Sequence, residues 1–231
     1  AQLGIAPERL VVTGNIKYDL NVSDELFHQI TTLKAQWNTQ RPIWIAASTH
    51  EGEDEIILKS HRTLLRQYPD LLLILVPRHL ERFNSVAQLI EQERFGFMRR
   101  SNHEIPTEEI QVLLGDTMGE LMLLYGMAKV ALVGGSLVAH GGHNPLEPLV
   151  FKLPVISGKH TFNFPEIFTK LIKREGVLIT EDTPQAVAKA VEIFLRSPEL
   201  GERYGQAGYA VLNENRGALQ RVMNLLKPYL N

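Results

Sequence analysis

Five short apolar runs, separated by longer stretches with helical periodicity, constrain the fold of this chain more than any other feature. The runs do not alternate apolar with polar residues, which is typical of strands buried on both faces of a parallel sheet. They lie at residues 43–47, 71–76, 110–114, 129–133 and 154–156. Strands that alternate with helices predict an α/β fold, here a Rossmann-like parallel sheet flanked by helices.

The stretches between and beyond the runs predict the covering helices. Residues 53–68 and 184–196 place apolar side chains along one stripe at helical spacing. Residues 24–38 are predicted to form a helix capped by Ser23, residues 11–14 one more strand, and the part after Thr183 only helices. The chain has no internal repeat or flexible linker, so one domain is expected over residues 1–231.

Composition excludes several classes of protein. The 24 basic and 26 acidic residues give a net charge of -2, without the basic excess of a nucleic-acid-binding protein, so no nucleic-acid partner is expected. The absence of cysteine excludes disulfide scaffolds, thiolate metal sites and cysteine nucleophiles. The apolar run at 71–76 is far shorter than the ~20 residues that cross a bilayer. Since the chain starts at Ala1, a fragment or processed product is expected.

Polar residues and glycines follow each predicted strand, at the edge where open parallel sheets bind ligands. The segments are Ser-Thr-His-Glu-Gly-Glu at 48–53, Pro-Arg-His at 77–79, Gly-Asp-Thr-Met-Gly-Glu at 115–120, Gly-Gly-Ser at 134–136 with a second Gly-Gly at 141–142, and Gly-Lys-His at 158–160. Glycine permits a close backbone approach, and a helix that starts at such a loop directs free N–H groups at an anion. A nucleotide phosphate is the expected ligand.

Each of these segments also has a purely structural interpretation. Gly134-Gly135 could be a tight turn, and residues 48–50 could only cap a helix. Asn144 to Glu147 resembles a capping box, so Glu147 could be structural. Arg78 could be a solvated surface residue. No further ligand completes a metal site with the histidines at 140 and 143, and no nucleophile elbow or Walker motif occurs, so no metal is expected.

Together, these ordered motifs resemble the C-terminal half of a 3-deoxy-D-manno-octulosonic acid (Kdo) transferase. The resemblance runs from about Val11 to Thr180. It implies the donor-binding half of a GT-B glycosyltransferase that moves Kdo from CMP-Kdo onto a lipid A precursor in lipopolysaccharide biosynthesis. The N-terminal acceptor domain, with the general base and the contact with the membrane, would be absent from this chain. The isolated domain is therefore expected to be soluble and inactive, and the whole enzyme to work at the cytoplasmic face of the inner membrane.

The resemblance also implies roles for individual residues. Ser48, Thr49 and Gly52 would lie near the donor phosphate, and Gly135 and Ser136 would line the phosphate side. The reaction would be an inverting attack of a sugar hydroxyl on the anomeric carbon, with CMP as the leaving group. No metal and no cofactor besides the substrate CMP-Kdo are expected.

Five further residues would complete the donor site. Arg78 would pair with the phosphate or the Kdo carboxylate, and Met118 and Gly119 would offer backbone groups to cytosine. Asn144 would present a helix N-terminus, and Glu147 would accept hydrogen bonds from the ribose hydroxyls.

Two other classes of protein fit the same pattern. A sugar-nucleotide epimerase-like enzyme would use the same crevice with its own base and would prefer UDP-sugars to CMP. A non-catalytic nucleotide-binding module would bind without turnover.

Overall fold

A parallel sheet forms the centre of the structure, a computed structural model that describes residues 10–37 and 40–230. Within these residues the strands are β1 (Ile43–Thr49), β2 (Leu72–Pro77), β3 (Phe97–Arg99), β4 (Val112–Leu114), β5 (Val130–Val133), β6 (Val155–Ser157) and β7 (Leu178–Ile179). Their order across the sheet is β3-β4-β2-β1-β5-β6-β7, and every pair is parallel. The predicted Rossmann-like α/β fold is confirmed.

Helices cover both faces of the sheet. They are α1 (Asp24–Trp37), α2 (Glu53–Leu64), α3 (Phe83–Gln92), α4 (Leu121–Met127), α5 (Leu146–Leu149), α6 (Pro165–Lys173), α7 (Pro184–Arg196), α8 (Pro198–Glu214) and α9 (Ala218–Leu226). Successive strand residues point to opposite faces, so Trp44 and Ala46 pack with α2, α3 and α7, while Ile43 and Ile45 pack with α1 and α4. All seven residues of β1 are buried, as the unbroken apolar run predicts.

The predicted elements differ from the observed ones at three places. The strand expected at 11–14 is absent, because this segment has no strand beside it and Val11 and Val12 are exposed. The helix from residue 53 ends at Leu64, four residues before Tyr68, which precedes a proline. The strands β3 and β7 were not predicted, because both are short and neither is fully buried.

The last helix keeps an exposed apolar stripe. The sequence places Leu219, Val222, Met223 and Leu226 on one side of α9, and the resemblance to GT-B enzymes implies that part of this stripe is exposed in this domain and contacts the other one. Three of the four are exposed by 45–49%, which confirms that the stripe is not covered within this domain. In the described part of the chain, no helix has the length and apolar character needed to span a membrane.

One buried histidine makes the stability of the fold depend on pH. The ring of His61 in α2 is fully buried, its Nδ1 accepts a hydrogen bond from the Trp44 indole at 3.2 Å, and its Nε2 donates to the Gln111 carbonyl at 2.9 Å. Both nitrogens are thus used by the neutral ring, and burial lowers the pKa of His61 to about 3.

We therefore expect acid to destabilise the protein. Between pH 6.5 and pH 3 the unfolded chain binds a proton at residue 61 that the folded chain does not, so stability is present above pH 6.5 and falls with decreasing pH. Between pH 7 and pH 5 this single group accounts for about 2 kcal/mol. Urea unfolding at both pH values measures the change. His61→Gln should remove this part of the pH dependence, whereas His28→Gln, at an exposed position of α1, should retain it.

Candidate functional site

The centre of the sheet has a topological switch point. The chain leaves β1 toward β2 on one side, and β5 lies against the other side of β1 and continues to β6. The loops that follow β1 and β5 therefore diverge and leave a crevice beyond the carboxyl ends of these strands. The loops after β2 and β4 end at the same edge. Because all the strands are parallel, the predicted ligand-binding segments are all brought to one end of the sheet.

Glu53, which the sequence analysis did not assign to the site, joins the two central loops. Its carboxylate is fully buried and accepts four backbone hydrogen bonds: Oε2 from the N–H groups of His50 (2.8 Å) and Gly135 (2.7 Å), and Oε1 from those of Ser136 (3.0 Å) and Leu137 (2.9 Å). Burial raises the pKa of Glu53, and the four N–H donors oppose that shift. This carboxylate fixes the loop after β5 against the start of α2.

A second buried carboxylate supports the loop after β1. The Asp54 carboxylate accepts a hydrogen bond from the Thr49 hydroxyl at 2.6 Å and forms an ion pair with Arg82. Arg82 also donates to the Thr49 carbonyl at 2.7 Å. The Thr49 side chain is therefore structural, and its hydroxyl is not available to a donor phosphate. Gly52 is exposed and adopts a φ of 88° at the start of α2.

Gly135 and Ser136, which were predicted to bind the donor, form hydrogen bonds within the protein. Ser136 is fully buried, its hydroxyl donates to the Val133 carbonyl at 2.6 Å and accepts from the Gly158 N–H at 2.8 Å, and its own N–H is held by Glu53. Burial removes the Ser136 side chain from the surface of the crevice. The N–H of Gly135 also points to Glu53.

Glycine is required at the start of this loop by close packing. A Cβ on Gly134 would lie 2.6 Å from the Ser48 carbonyl oxygen, and Gly135 adopts a φ of 69° with the His143 ring 3.0 Å from its hypothetical Cβ. The tight-turn interpretation therefore accounts for both glycines. Ser48 itself has a φ of 58° and is buried. Ser48 is the penultimate residue of β1, so this strained backbone lies at the carboxyl end of the strand, beside the crevice.

Arg78, directly after β2, and Glu147, in α5, lie near enough for their charges to interact. The Arg78 side chain is exposed and forms no hydrogen bond with any residue in the described part of the chain, while its backbone N–H donates to the Thr49 carbonyl at 3.0 Å. Burial raises the pKa of Glu147, and the Asn144 amide and the Arg78 guanidinium oppose this shift. A guanidinium can pair with an anion and a carboxylate can accept hydrogen bonds from hydroxyls, so these two side chains suit a ligand that carries both.

The expected capping box at 144–147 is only partly formed. Asn144 Oδ1 accepts a hydrogen bond from the Leu146 N–H at 3.2 Å, but its side-chain amide, not its backbone N–H, approaches Glu147 Oε1 at 3.4 Å. The helix that follows, α5, has only four residues. The cap therefore does not fully account for the carboxylate of Glu147.

The loop after β4 presents open backbone to the same edge. Met118 is 68% exposed, and Gly119 adopts a φ of 81° with no atom near its hypothetical Cβ. Ion pairs from Arg99 to Asp116 (3.2 Å) and from Arg100 to Glu120 (2.9 Å) brace both ends of this loop. The positions of Met118 and Gly119 leave their backbone groups accessible to a planar base.

Four histidines form a cluster that the sequence analysis did not identify as part of the site. We call His50, His79, His140 and His143 the histidine cluster; their rings meet where the loops after β1, β2 and β5 converge. The sequence signals were a histidine shortly after β1 and after β2 and the pair at 140 and 143, which had been considered only as metal ligands. No group of three or more histidine, aspartate or glutamate side chains among residues 10–37 and 40–230 is arranged to hold a metal ion.

A cavity of about 400 Å³ lies at the opposite edge of the sheet, away from these loops. Pro42, Lys129 and Pro154 at its walls immediately precede β1, β5 and β6. Ligands of open parallel sheets bind at the carboxyl ends of the strands, so the crevice described above is the candidate site.

An open parallel sheet whose switch point carries glycine-rich loops, an exposed arginine and a half-buried carboxylate defines a Rossmann-like nucleotide-binding domain. The chain belongs to the glycosyl transferases group 1 family, whose model matches residues 40–211.

Individual relatives narrow the comparison. The chain is 65% identical to the 3-deoxy-D-manno-octulosonic acid transferase of Haemophilus influenzae over its whole length and 54% of that protein. It is 34% identical to the enzyme of the same name from Bordetella pertussis, over 95% of the chain and 51% of that protein. The chain thus spans about half the length of the curated relatives it matches.

A solved structure is similar as well. The C-terminal CMP-Kdo binding domain of WaaA from Acinetobacter baumannii matches with a TM-score of 0.78 and 35% identity, over 82% of this chain and 99% of that domain. The resemblance to the C-terminal half of a Kdo transferase, stated from the motifs alone, is confirmed.

Proposed function

We propose that this chain binds CMP-Kdo and is the donor half of a glycosyltransferase that transfers Kdo to a lipid A precursor. The observation that carries the proposal is the convergence of the loops after β1, β2, β4 and β5 at the switch point, with Arg78 and Glu147 facing the crevice. The 65% identity to a Kdo transferase along the whole chain supports the choice of substrate.

In this proposal, residues on different sides of the crevice contact different parts of the donor. Arg78 pairs with the donor's phosphate or carboxylate, and the backbone of Met118 and Gly119 contacts cytosine. Glu147 accepts hydrogen bonds from the ribose hydroxyls, with Asn144 orienting it, and Ser48 and Gly52 approach the phosphate. Thr49 and Ser136 do not touch the donor, and their hydrogen bonds hold the loops that carry the other residues in place.

The reaction follows from these contacts together with a second half of the enzyme. A hydroxyl of the acceptor attacks the anomeric carbon of Kdo as the bond from that carbon to the phosphate oxygen breaks, and CMP leaves. Arg78 stabilises the charge that develops on the phosphate. The general base, the lipid A precursor and the membrane surface are proposed to meet in the remaining half of the longer protein, at the cytoplasmic face of the inner membrane.

Calorimetric titration with CMP, CDP and UDP tests the proposed donor. The chain should bind CMP in preference to UDP, because the groups that Met118 and Gly119 offer are backbone donors and acceptors matched to one base edge. Preference for UDP would contradict the proposal and favour an epimerase-like or UDP-sugar enzyme.

Glu147→Gln separates a ribose-binding role from a capping role. An amide offers one acceptor and one unwanted donor to the two ribose hydroxyls, so we expect CMP affinity to fall roughly tenfold, about 1.4 kcal/mol. Thermal stability should hardly change, since glutamine also serves in a capping box. Calorimetry and thermal unfolding measure the two effects, and 2′,3′-dideoxy-CMP should lose less than CMP.

The matched control is Glu166→Gln, at an exposed position in the first turn of α6. It should leave the affinity for CMP unchanged. Equal CMP affinity of the wild type and Glu147→Gln would make Glu147 a structural residue only.

A further inference from the structure

The histidine cluster is held together by ring contacts at short range. Nε2 of His50 lies 2.7 Å from Nε2 of His143, and these two rings are parallel with centroids 5.0 Å apart. His140 stacks on His50 at 4.2 Å, and His79 meets His50 edge-on at 5.3 Å. The 2.7 Å distance is a hydrogen bond and leaves no room for a metal ion between the two nitrogens, which would each need about 2.0 Å.

The charged groups around the cluster are mainly cationic. Arg78 and Arg82 reach it from the segment after β2 and act on His143 and His50, respectively. No carboxylate in residues 10–37 and 40–230 forms a hydrogen bond or ion pair with any of the four rings.

The nearby carboxylates have other partners. Glu53 is held by four backbone N–H groups, Asp54 pairs with Arg82, Glu147 interacts with Asn144 and Arg78, and Glu51 is exposed. The cluster therefore combines four histidines with two nearby arginines, and no carboxylate pairs with its rings.

The hydrogen bond sets how many protons the His50–His143 pair can hold. In the neutral pair one Nε2 carries the shared hydrogen and the other accepts it, which leaves one Nδ1 free to bind a proton. A single added proton converts this into a charge-assisted bond between an imidazolium and a neutral ring. A second proton would place two N–H groups against each other and break the contact.

The free protein keeps this pair neutral. Burial lowers the pKa of His50 to about 4, and His140, His143, His79 and Arg82 act in the same direction. Burial also lowers the pKa of His143 to about 4, with Arg78, His79 and His140 contributing. An oxyanion placed against these rings opposes each of these effects, because it favours the charged form.

We propose that the histidine cluster is a proton-coupled oxyanion site, in which the His50–His143 pair takes up one proton when an anionic group of the donor enters the crevice. This rests on the proposed function, since CMP-Kdo supplies the two candidate oxyanions, a phosphate and a carboxylate. The added proton turns a neutral wall of the crevice into a cation only while the ligand is bound. Binding of the anion thus becomes weaker as the pH rises.

Calorimetry of CMP binding in buffers of different ionisation enthalpy, at pH 6.5, counts the protons taken up. We expect the wild type to take up between half a proton and one proton more than His50→Gln or His143→Gln. The nucleotide phosphate itself titrates near pH ~6, but this contribution is shared by all variants and cancels in the difference. His28→Gln, at an exposed position of α1, is the matched control and should behave as wild type.

Titrations with different ligands identify which oxyanion the cluster binds. Cytidine, which lacks the phosphate, should bind without proton uptake; uptake with CMP assigns the site to the phosphate, and uptake with free Kdo alone assigns it to the carboxylate. CMP binding without any difference between the wild type and the two histidine variants, and no uptake with Kdo, overturns the inference but leaves the proposed function standing. Absence of CMP binding contradicts the proposed function and the inference with it.

A measurement on the wild-type protein tests the inference even if the histidine variants fail to fold. Ring resonances of His50 and His143, followed by NMR between pH 5 and 8, should show no titration in the free protein and a titration near neutral pH with saturating CMP or Kdo. Rings that stay neutral in the presence of both ligands overturn the inference.

Discussion

Glu53→Ala is expected to lower the free energy of unfolding by roughly 3–5 kcal/mol, because it leaves four backbone N–H groups without an acceptor in a buried site. Urea unfolding at pH 7 measures the loss. Glu53→Gln should recover only part of it, since the amide nitrogen is a donor and would face other N–H groups. The loss of the clamp should also weaken CMP binding, because the loop after β5 would no longer be fixed against α2.

Glu55→Ala is the matched control for this variant. Glu55 lies in the same helix, is exposed, and forms an ion pair with Lys59 at 3.5 Å, so its removal should cost less than about 0.5 kcal/mol. A loss below about 1 kcal/mol for Glu53→Ala would mean that water replaces the carboxylate at the four N–H groups, and the clamp would then not hold the loops.

Arg78→Ala is expected to weaken CMP binding by about 2 kcal/mol, roughly thirtyfold, which is the range for loss of a charge-assisted hydrogen bond. The free energy of unfolding should stay within about 0.5 kcal/mol of the wild type, because the side chain is exposed. Arg78→Lys should recover part of the affinity, since an ammonium keeps the charge and loses the planar two-point contact. Titration calorimetry and urea unfolding separate the two effects.

Arg66→Ala, at another exposed arginine beyond the end of α2, should leave CMP affinity unchanged. If Arg78→Ala and Arg78→Lys both bind CMP as tightly as the wild type, Arg78 does not contact the phosphate. Its remaining role would be to pair with the Kdo carboxylate, which CMP lacks, and titration with CMP-Kdo would then show the loss.

These two variants separate the two kinds of polar residue at the site. Arg78 is a long, exposed side chain on the rim, and its position directly after a buried strand was enough to predict a contact with an anion. The same reasoning does not assign Glu53 to the site, because an acid in the first turn of a helix is ordinarily explained by the helix dipole. Only the fold shows that the Glu53 side chain turns away from solvent and serves a loop 82 residues later in the chain.

The amino-acid sequence by itself determined the architecture of this protein. In an unbroken apolar run, the side chains on both faces of the strand are apolar, so neither face of the sheet can be left in water. The strands β1, β2 and β5 therefore had to be buried on both sides and covered by helices such as α7. The edge of the sheet that carries the site followed from the same pattern, since the polar and glycine residues come directly after the strands.

The tertiary structure decided which of those polar residues face the crevice. Hydrogen bonds from residues that are distant in the chain contribute to this: Arg82 donates to the Thr49 carbonyl, and the Gly158 N–H donates to the Ser136 hydroxyl. The histidine cluster exists only because three strands that are separated in sequence end side by side. Periodicity reports the faces of one helix or strand, whereas contacts between loops depend on the order of strands across the sheet, which no local pattern contains.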